Sequence, residues 1–597
     1  MKDFIKFTLA TMCGIVLLSV LSGIMFMISL IGMVASESGN VKVKDNSVFV
    51  LKLSGTVEER AADDNPLALL MGQGDMESMG LDDIISSIRK AKDEEDIKGI
   101  YLEAGAISFD SPATIQQIRD ELEAFKKAGK WIVAYGDNYT QGAYYLASVA
   151  DKVYLNETGM LDFHGIGGKS QYMKGLYDKL GVEYRVAKVG KYKSYVESNT
   201  RTNMSDYDRE QRTAYQSGIW NHMLKGISES RKIGSAQLNQ YANDSILALA
   251  DAADYVKMKL VDKLMYPEDI KKEIKNKLGI DEKDDIPQLT LADMLNVKSK
   301  QKKSGDKIAV YYAYGEIVDQ LTSSFMSEHC IVGQPVADDL KKLADDEDVK
   351  AVVLRVNSGG GSAVASEQIW HAVKLLKAKK PVVVSMGGMA ASGGYMISAA
   401  ANYIYAEPTT VTGSIGIFGM VPNISGLVTD KLGVTFDGTA TNKYTSWEED
   451  LVLGKDNVDD IMKYFQGYTD RGYAQFLKIV ADGRKMKVAD VDSIAQGRVW
   501  IGTDALKIKL VDKLGSLDDA VKKAAELAKL DKYQTVGYPG ESSWMDNLFP
   551  KENKGTYLDA QLLRGVLGEL YEPVMEMRKD MNRSRLQARL PFSIRME

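Results

Sequence analysis

The chain matches itself at a nearly constant spacing, and no other feature limits its fold as tightly. VFVLKLSGTVEE from Val48 aligns with IAVYYAYGEIVD from Ile308, and IKGIYLEAG from Ile97 aligns with VKAVVLRVN from Val349 at an offset of 252. GKWIVAYGDNYTQGAYYLASVADKVYL from Gly129 then aligns with KPVVVSMGGMAASGGYMISAAANYIYA from Lys380 at 251. The register persists through KLGVEYRVAKVGKYKS from Lys179 and KLGVTFDGTATNKYTS from Lys431, and KLVDKL recurs at Lys259 and Lys509. Five matches in one order mean a duplicated unit.

Each copy alternates short β-rich runs, such as IVAY and VVVS, with helical patterns such as IQQIRDELEAFKKA and SEQIWHAVKLLKAK, whose apolar positions recur every three or four residues. This alternation predicts an α/β fold in which βαβ units build a mostly parallel sheet. The polar, partly basic stretch from Glu282 to Lys307 reads as a linker. The expected units are a first domain over 45–300, a second over 306–535 and a tail over 536–597. Arg578, Lys579, Arg583, Arg585, Arg589 and Arg595 suit a solvated helix face in that tail.

Residues 1–36 read differently. No charge occurs between Lys6 and Glu37, and Phe7 to Ser36 would make a helix about 45 Å long. A removed secretory signal carries an apolar stretch of about 7 to 15 residues, so an uncleaved membrane anchor is expected. Lys2 and Lys6 precede the span, which predicts a cytoplasmic amino end and an extracytoplasmic body.

Composition removes several classes of function. A balance of 75 basic against 82 acidic residues gives a net charge of −7, the wrong sign for nucleic acid as a partner. Two cysteines, Cys13 and Cys330, cannot make a disulfide framework or a Cys-rich metal site, and His164, His222, His329 and His371 show no ligand spacing. Neither metal nor organic cofactor is expected.

The copies diverge where chemistry would sit. In the second copy, VVVSMGGMAASGGYMIS places Ser392 after a strand and at a helix start, among Ala390, Ala391, Gly393 and Gly394. Small neighbours admit a substrate backbone, and free N–H groups at a helix start favour developing negative charge. A Gly/Ala/Ser patch also serves tight helix packing, so this motif alone does not decide. VVLRVNSGGGSAVASEQI adds a glycine turn at the carboxyl edge of the sheet, whose Gly361 N–H could join that of Gly393 in an oxyanion hole. No GK[ST] follows, so a phosphate loop is disfavoured. Lys193 in VGKYKSYVES aligns with Thr445, whereas Ser392 aligns with Gln141 and the glycine turn with Ala106-Ile107-Ser108-Phe109. One copy holds a candidate base and the other a candidate nucleophile.

NSGGGS, MAASGGYMIS, TGSIGIFG and GKYKS, in one chain behind an N-terminal anchor, resemble the signal peptide peptidase A (protease IV) family of the long bacterial type, over about residues 45 to 535. The resemblance implies tandem ClpP/crotonase-like repeats of the ββα superhelix type and a Ser-Lys serine peptidase that degrades cleaved signal peptides. By motif, Ser392 is the nucleophile, Lys193 the general base, Gly361 and Gly393 the oxyanion donors, and Ser414 the serine that orients the lysine. The family pattern has Pro where this chain has Gly359, which leaves the donor register between Gly360 and Gly361. The resemblance also implies a homotetramer held in the inner membrane by its anchor, with periplasmic catalytic domains. Apolar pockets near Met386, Met389, Tyr395 and Met396 would suit such peptides. A crotonase-type acyl-CoA enzyme and a silent peptide-binding scaffold are the alternatives from other classes.

Overall fold

A computed structural model describes residues 41–61, 78–298, 305–321, 329–454, 457–540 and 586–590, with isolated helical positions between 7 and 25. The expected anchor lies largely outside the described residues; among them, no helix is long and apolar enough to cross a membrane.

In the first copy, β1 (Ser47–Glu58), β2 (Ile97–Phe109), β3 (Trp131–Gly136) and β4 (Lys152–Leu155) form a parallel sheet in that spatial order, and β5 (Glu183–Lys188) leaves it. Helix α1 (Pro112–Lys127) crosses over between β2 and β3. Its start is specified locally, since Ser111 Oγ accepts the Thr114 N–H at 3.2 Å and Pro112 occupies the first turn. Helix α2 (Gln141–Ala147) follows β3, and the long α3 (Asp206–Arg231) packs outside.

The second copy repeats this arrangement. Its main sheet contains β6 (Lys307–Tyr314), the adjoining β7 (Glu316–Val318) turns away, and β8 (Val349–Ser358) pairs in parallel with β6. After β8 come β9 (Gly360–Ser362), α4 (Ala363–Lys379), β10 (Val382–Ala391), α5 (Gly393–Ser398), β11 (Tyr403–Ala406), β12 (Val411–Gly413) and β13 (Phe418–Asn423). Helix α6 (Val458–Arg484) matches α3 in role, and β14 (Gln534–Tyr538) adds to the edge of β6. VKAVVLRVNS of β8 is buried along nearly its whole length, as a parallel strand covered on both faces must be.

Equivalent polar contacts show that the duplication reaches the packing. The Tyr144 hydroxyl donates to Leu260 O at 2.8 Å, and that of Tyr395 donates to Leu510 O at 2.8 Å. Arg231 pairs with Asp262 at 2.9 Å as Arg484 pairs with Asp512 at 2.7 Å.

A third sheet joins the copies. β5 of the first copy runs antiparallel to β13 of the second, from Phe418 opposite Lys188 to Asn423 opposite Glu183. In the same sheet, β15 (Gln587–Arg589) lies between β9 and β13. The seam also carries a buried ion pair, in which Arg355 Nη2 lies 2.9 Å from Glu59 Oε1. Asn357 Nδ2 donates to Asp110 Oδ2 at 2.7 Å, and burial raises the Asp110 carboxyl to about 6.

Two expectations change. The stretch read as a linker contributes a short strand, Gln288–Leu289, paired with β1, and a short helix, Leu291–Leu295, that buries Met294. Its apolar residues were too few to stand out against the surrounding charge. Arg589, read as part of a solvated helix face, lies in strand β15 and donates to Glu316 at 2.9 Å. The other five basic positions of the tail fall outside the described residues.

Candidate active site

Strand β10 ends at Ala391, and Ser392 stands between it and α5 with φ +56° and ψ −114°. A residue other than glycine in this region costs about 1 to 3 kcal/mol and persists only when its surroundings enforce it. Here two backbone bonds do so. The Ser392 N–H donates to Gly413 O at 2.8 Å, and its carbonyl accepts the Met396 N–H at 2.9 Å. The neighbouring glycines have no room for side chains, because a Cβ on Gly393 would lie 2.4 Å from Ser366 Oγ and one on Gly394 would lie 2.6 Å from Ser358 O.

Lys193 arrives from the other copy. The loop after β5 turns at Gly190, φ +106°, where a Cβ would meet the Gln496 backbone at 2.5 Å. The Tyr192 N–H donates to Gln496 O at 2.9 Å, which fastens the loop to the second copy. Behind the lysine, Ser194 Oγ donates to Asp208 Oδ1 at 2.6 Å, and Gln211 Nε2 donates to Tyr192 O at 3.0 Å. Gln211 Oε1 in turn accepts the Val499 N–H at 3.2 Å, so α3 ties the loop to both copies. Sequence reasoning missed Asp208 and Gln211. They look like ordinary polar residues of a surface helix until the fold buries them.

The resulting constellation is compact. Lys193 Nζ lies 2.8 Å from Ser392 Oγ, 3.0 Å from Ser414 Oγ and 3.1 Å from Ser414 O, and all three residues are fully buried. Burial holds the Lys193 amine well below the usual lysine range. In its neutral form the amine has two hydrogens and one lone pair, so it can donate to the two oxygens of Ser414 and accept from the Ser392 hydroxyl. Ser414, at φ +48°, is also held in the left-handed region, with its N–H donating to Arg498 O at 2.7 Å.

The glycine turn stands beside the serine. Gly360 has φ +97°, and a Cβ there would lie 2.7 Å from Gly393 N. Gly361 lies opposite Ile317 of β7 and Ala588 of β15. Leu590 N donates to Gly359 O at 2.6 Å and Ala363 N to Leu586 O at 3.1 Å. Alternation along an antiparallel ladder makes Gly361 and Ala588 the exchanging pair between them, so the Gly361 N–H faces the ladder and Gly360 makes the turn.

The remaining sequence candidates are placed elsewhere. His164 sits 2.7 Å from Asp162, His222 2.7 Å from Gln116 Oε1 and His329 3.5 Å from Glu58, while His371 is exposed on α4. Burial lowers the His222 imidazole to about 4. Met386, Tyr395 and Met396 belong to the core, so the expected pocket loses three of its four residues; Met389 alone packs with Ala391, Val411 and Val499 beside Ser392. An apolar residue type does not say which side of a strand or helix it faces. Among the described residues no cluster of His, Cys, Asp and Glu could hold a metal ion.

The chain is similar to known proteins. The model of peptidase family S49 matches the chain twice, over residues 124–281 and 374–531, and the Clp protease model matches residues 321–411. The chain is 37% identical over 528 residues to Protease 4 of Salmonella typhi, covering 86% of this chain and 84% of that one. It is 35% identical to Protease 4 of Haemophilus influenzae, covering 84% and 83%, and 26% identical to the chloroplastic serine protease SPPA of Arabidopsis thaliana, covering 82% and 70%. These matches leave the acyl-CoA and silent-scaffold alternatives without support. With two family-matched copies on a mixed α/β scaffold, the chain belongs to peptidase family S49 and is a serine peptidase of the protease 4 type.

Proposed function

We propose that this serine peptidase works by a Ser392–Lys193 dyad split between the copies, and that its substrates are cleaved signal peptides and similar apolar peptides. The observation that carries the dyad is the 2.8 Å separation between the Lys193 amine and the Ser392 hydroxyl in a fully buried setting. In the proposed reaction, neutral Lys193 takes the hydroxyl proton as Ser392 Oγ bonds to the peptide carbonyl carbon. The N–H groups of Gly361 and Gly393 stabilise the oxyanion, each such donor contributing about 2.7 to 4 kcal/mol. The lysinium returns its proton to the amine as the C–N bond breaks. Water then attacks the acyl-enzyme while giving a proton to Lys193, and the lysinium passes that proton to Ser392 Oγ as the acyl C–O bond breaks, which releases the acid product and restores the neutral pair. Ser414 holds the amine in line throughout.

The substrate proposal draws on the N-terminal apolar run from Phe7 to Ser36, which would keep the peptidase at the membrane where spent signal peptides remain. The same reading makes the chain a single-pass inner-membrane protein with its body in the periplasm. A homotetramer is proposed with it, supported by exposed apolar residues of the second copy, Leu432, Phe436 and Tyr464.

The test compares parent, Ser392→Ala and Lys193→Ala on a synthetic signal peptide and on a polar peptide of equal length. The dyad reading expects both variants to lose turnover, and the substrate reading expects the parent to prefer the signal peptide. Turnover that survives Lys193→Ala would remove the dyad; equal cleavage of both peptides would remove the substrate class.

A further inference from the structure

The strand that leads to Ser392 is interrupted shortly before its end. β10 pairs with β8 residue for residue from Val382 opposite Val352 to Met386 opposite Val356, and pairing resumes at Ala390 opposite Ser358. Between these points β8 supplies one residue, Asn357, and β10 supplies three, Gly387, Gly388 and Met389. Such a bulge re-aims the strand beyond it. On its other edge β10 changes neighbour across the same residues, from β11 at Met386 to β12 at Met389. The course of Ala390, Ala391 and Ser392 is therefore set where the regular ladder is broken.

Side chains from both copies hold the break. Asn357 Oδ1 accepts the Met389 N–H at 3.0 Å, and Asn357 Nδ2 donates to Asp110 Oδ2 at 2.7 Å. The Thr114 hydroxyl donates to the other Asp110 oxygen. Gly387 O accepts the Thr410 hydroxyl at 2.7 Å. The two glycines admit the first copy, since a Cβ on Gly387 would lie 2.4 Å from Glu59 Oε1 and one on Gly388 would lie 2.3 Å from Ser111 Oγ. The alignment of the copies marks the same places. Asn357 stands where the first copy has Gly105, and Gly388-Met389 where it has Asp137-Asn138. The amide that holds the Met389 N–H thus belongs to the copy with the serine, and its carboxylate partner to the copy with the lysine.

We propose that Asp110 and Asn357 are positioning residues for the peptidase reaction: Asp110, from the copy that supplies Lys193, orients the Asn357 amide, which fixes the bulge at Met389 and with it the placement of Ser392 against the lysine amine. Both act through the strand rather than on the reacting atoms. Loss of the amide acceptor loosens the bulge at its last residue, and the strand end that presents the hydroxyl resettles. The inference rests on the proposed dyad and adds a second route by which the first copy shapes the site.

The test uses the full chain and exchanges the two side chains. Asn357→Asp sets two carboxylates against each other at the seam, whereas Asp110→Asn combined with Asn357→Asp reverses the bond, so that the amide now donates from position 110 while the carboxylate at 357 still accepts the Met389 N–H. On an apolar peptide, Asn357→Asp should lower kcat about hundredfold with KM within about threefold, as a misplacement of about an ångström can. The rate at which a fluorophosphonate labels Ser392 should fall in step. The exchange should bring both rates back to within about fivefold of the parent, a difference no larger than one hydrogen bond is worth. Asp110→Ala, which removes the acceptor outright, should lower kcat about tenfold. An exchange variant that stays as slow as Asn357→Asp, or an Asp110→Ala that turns over like the parent, would overturn the proposal. If Asn357→Asp alone fails to fold in a urea titration, the exchange is compared with Asp110→Ala instead, and an exchange variant no faster than Asp110→Ala would overturn it equally. Labelling of Ser392 that Lys193→Ala leaves unchanged would instead remove the dyad, and this inference with it.

Discussion

Ser392 and Gln141 occupy equivalent places in the two copies, each where the third long strand gives way to a short helix. In the second copy the backbone is held at φ +56° and the hydroxyl faces a lysine. In the first, Gln141 is an ordinary helical residue. Its Oε1 accepts the N–H groups of His164 and Gly165 at 3.0 and 2.9 Å, and its Nε2 donates to Gly165 O at 3.2 Å. The place that holds the proposed nucleophile in one copy closes a loop in the other. The lysine loops differ in the complementary sense. Lys193 is fully buried, whereas Thr445 is exposed and its hydroxyl donates to Asn442 O at 3.0 Å. Duplication kept the scaffold, and the strain and the buried amine stayed only where the chains of the two copies meet.

The widest separation between copies should appear in turnover. Ser392→Ala and Lys193→Ala should each lower kcat on an apolar peptide by about ten-thousandfold or more, since members of one reactive unit fail together. Gln141→Ala should leave kcat within about twofold, measured in the same assay; a large loss there would break the asymmetry. The seam comes next. Glu59→Gln leaves the Arg355 guanidinium buried with one carboxylate fewer, and should cost about 3 to 5 kcal/mol in a urea titration. Ser414→Ala removes one acceptor from the lysine amine and should lower kcat about tenfold, as loss of one well-placed hydrogen bond does.

A smaller effect follows from the cost of burying the lysine. Its folded pKa is depressed, so between that value and about 10.4 the unfolded chain holds a proton that the folded chain lacks. Stability from this group therefore rises with pH across that window. Lys193→Met should raise the melting temperature at neutral pH, with the gain shrinking as pH approaches about 10.4. A variant less stable than the parent at every pH would contradict a depressed lysine pKa. Thr445→Ala, on the exposed loop, should change stability by no more than about 0.5 kcal/mol.

Much of this was legible in the sequence because it is periodic or compositional. The repeat exposes the paired sheets, and the Ser392 neighbourhood stands out because close backbone approach admits only small residues. Lys193 is visible only by its alignment with Thr445; a lysine chosen without that comparison would read as surface charge. What escaped depends on contacts distant in sequence. Glu59 and Arg355 are 296 residues apart, and neither has a local pattern that announces a partner. Asp208 and Gln211 anchor the lysine loop through a helix whose outward residues are equally polar. The strand at 587–589 carries two polar residues among three, too short for its alternation to show against a basic tail.

The pairing of residues from different copies is tested most directly by the pH dependence of Ser392 modification with a fluorophosphonate, followed by mass spectrometry of the labelled peptide. The rate should rise with pH through a single ionisation well below the usual lysine value, and Lys193→Ala should abolish that step along with nearly all labelling. A labelling rate and pH profile unchanged by Lys193→Ala would show that Ser392 draws its reactivity from elsewhere.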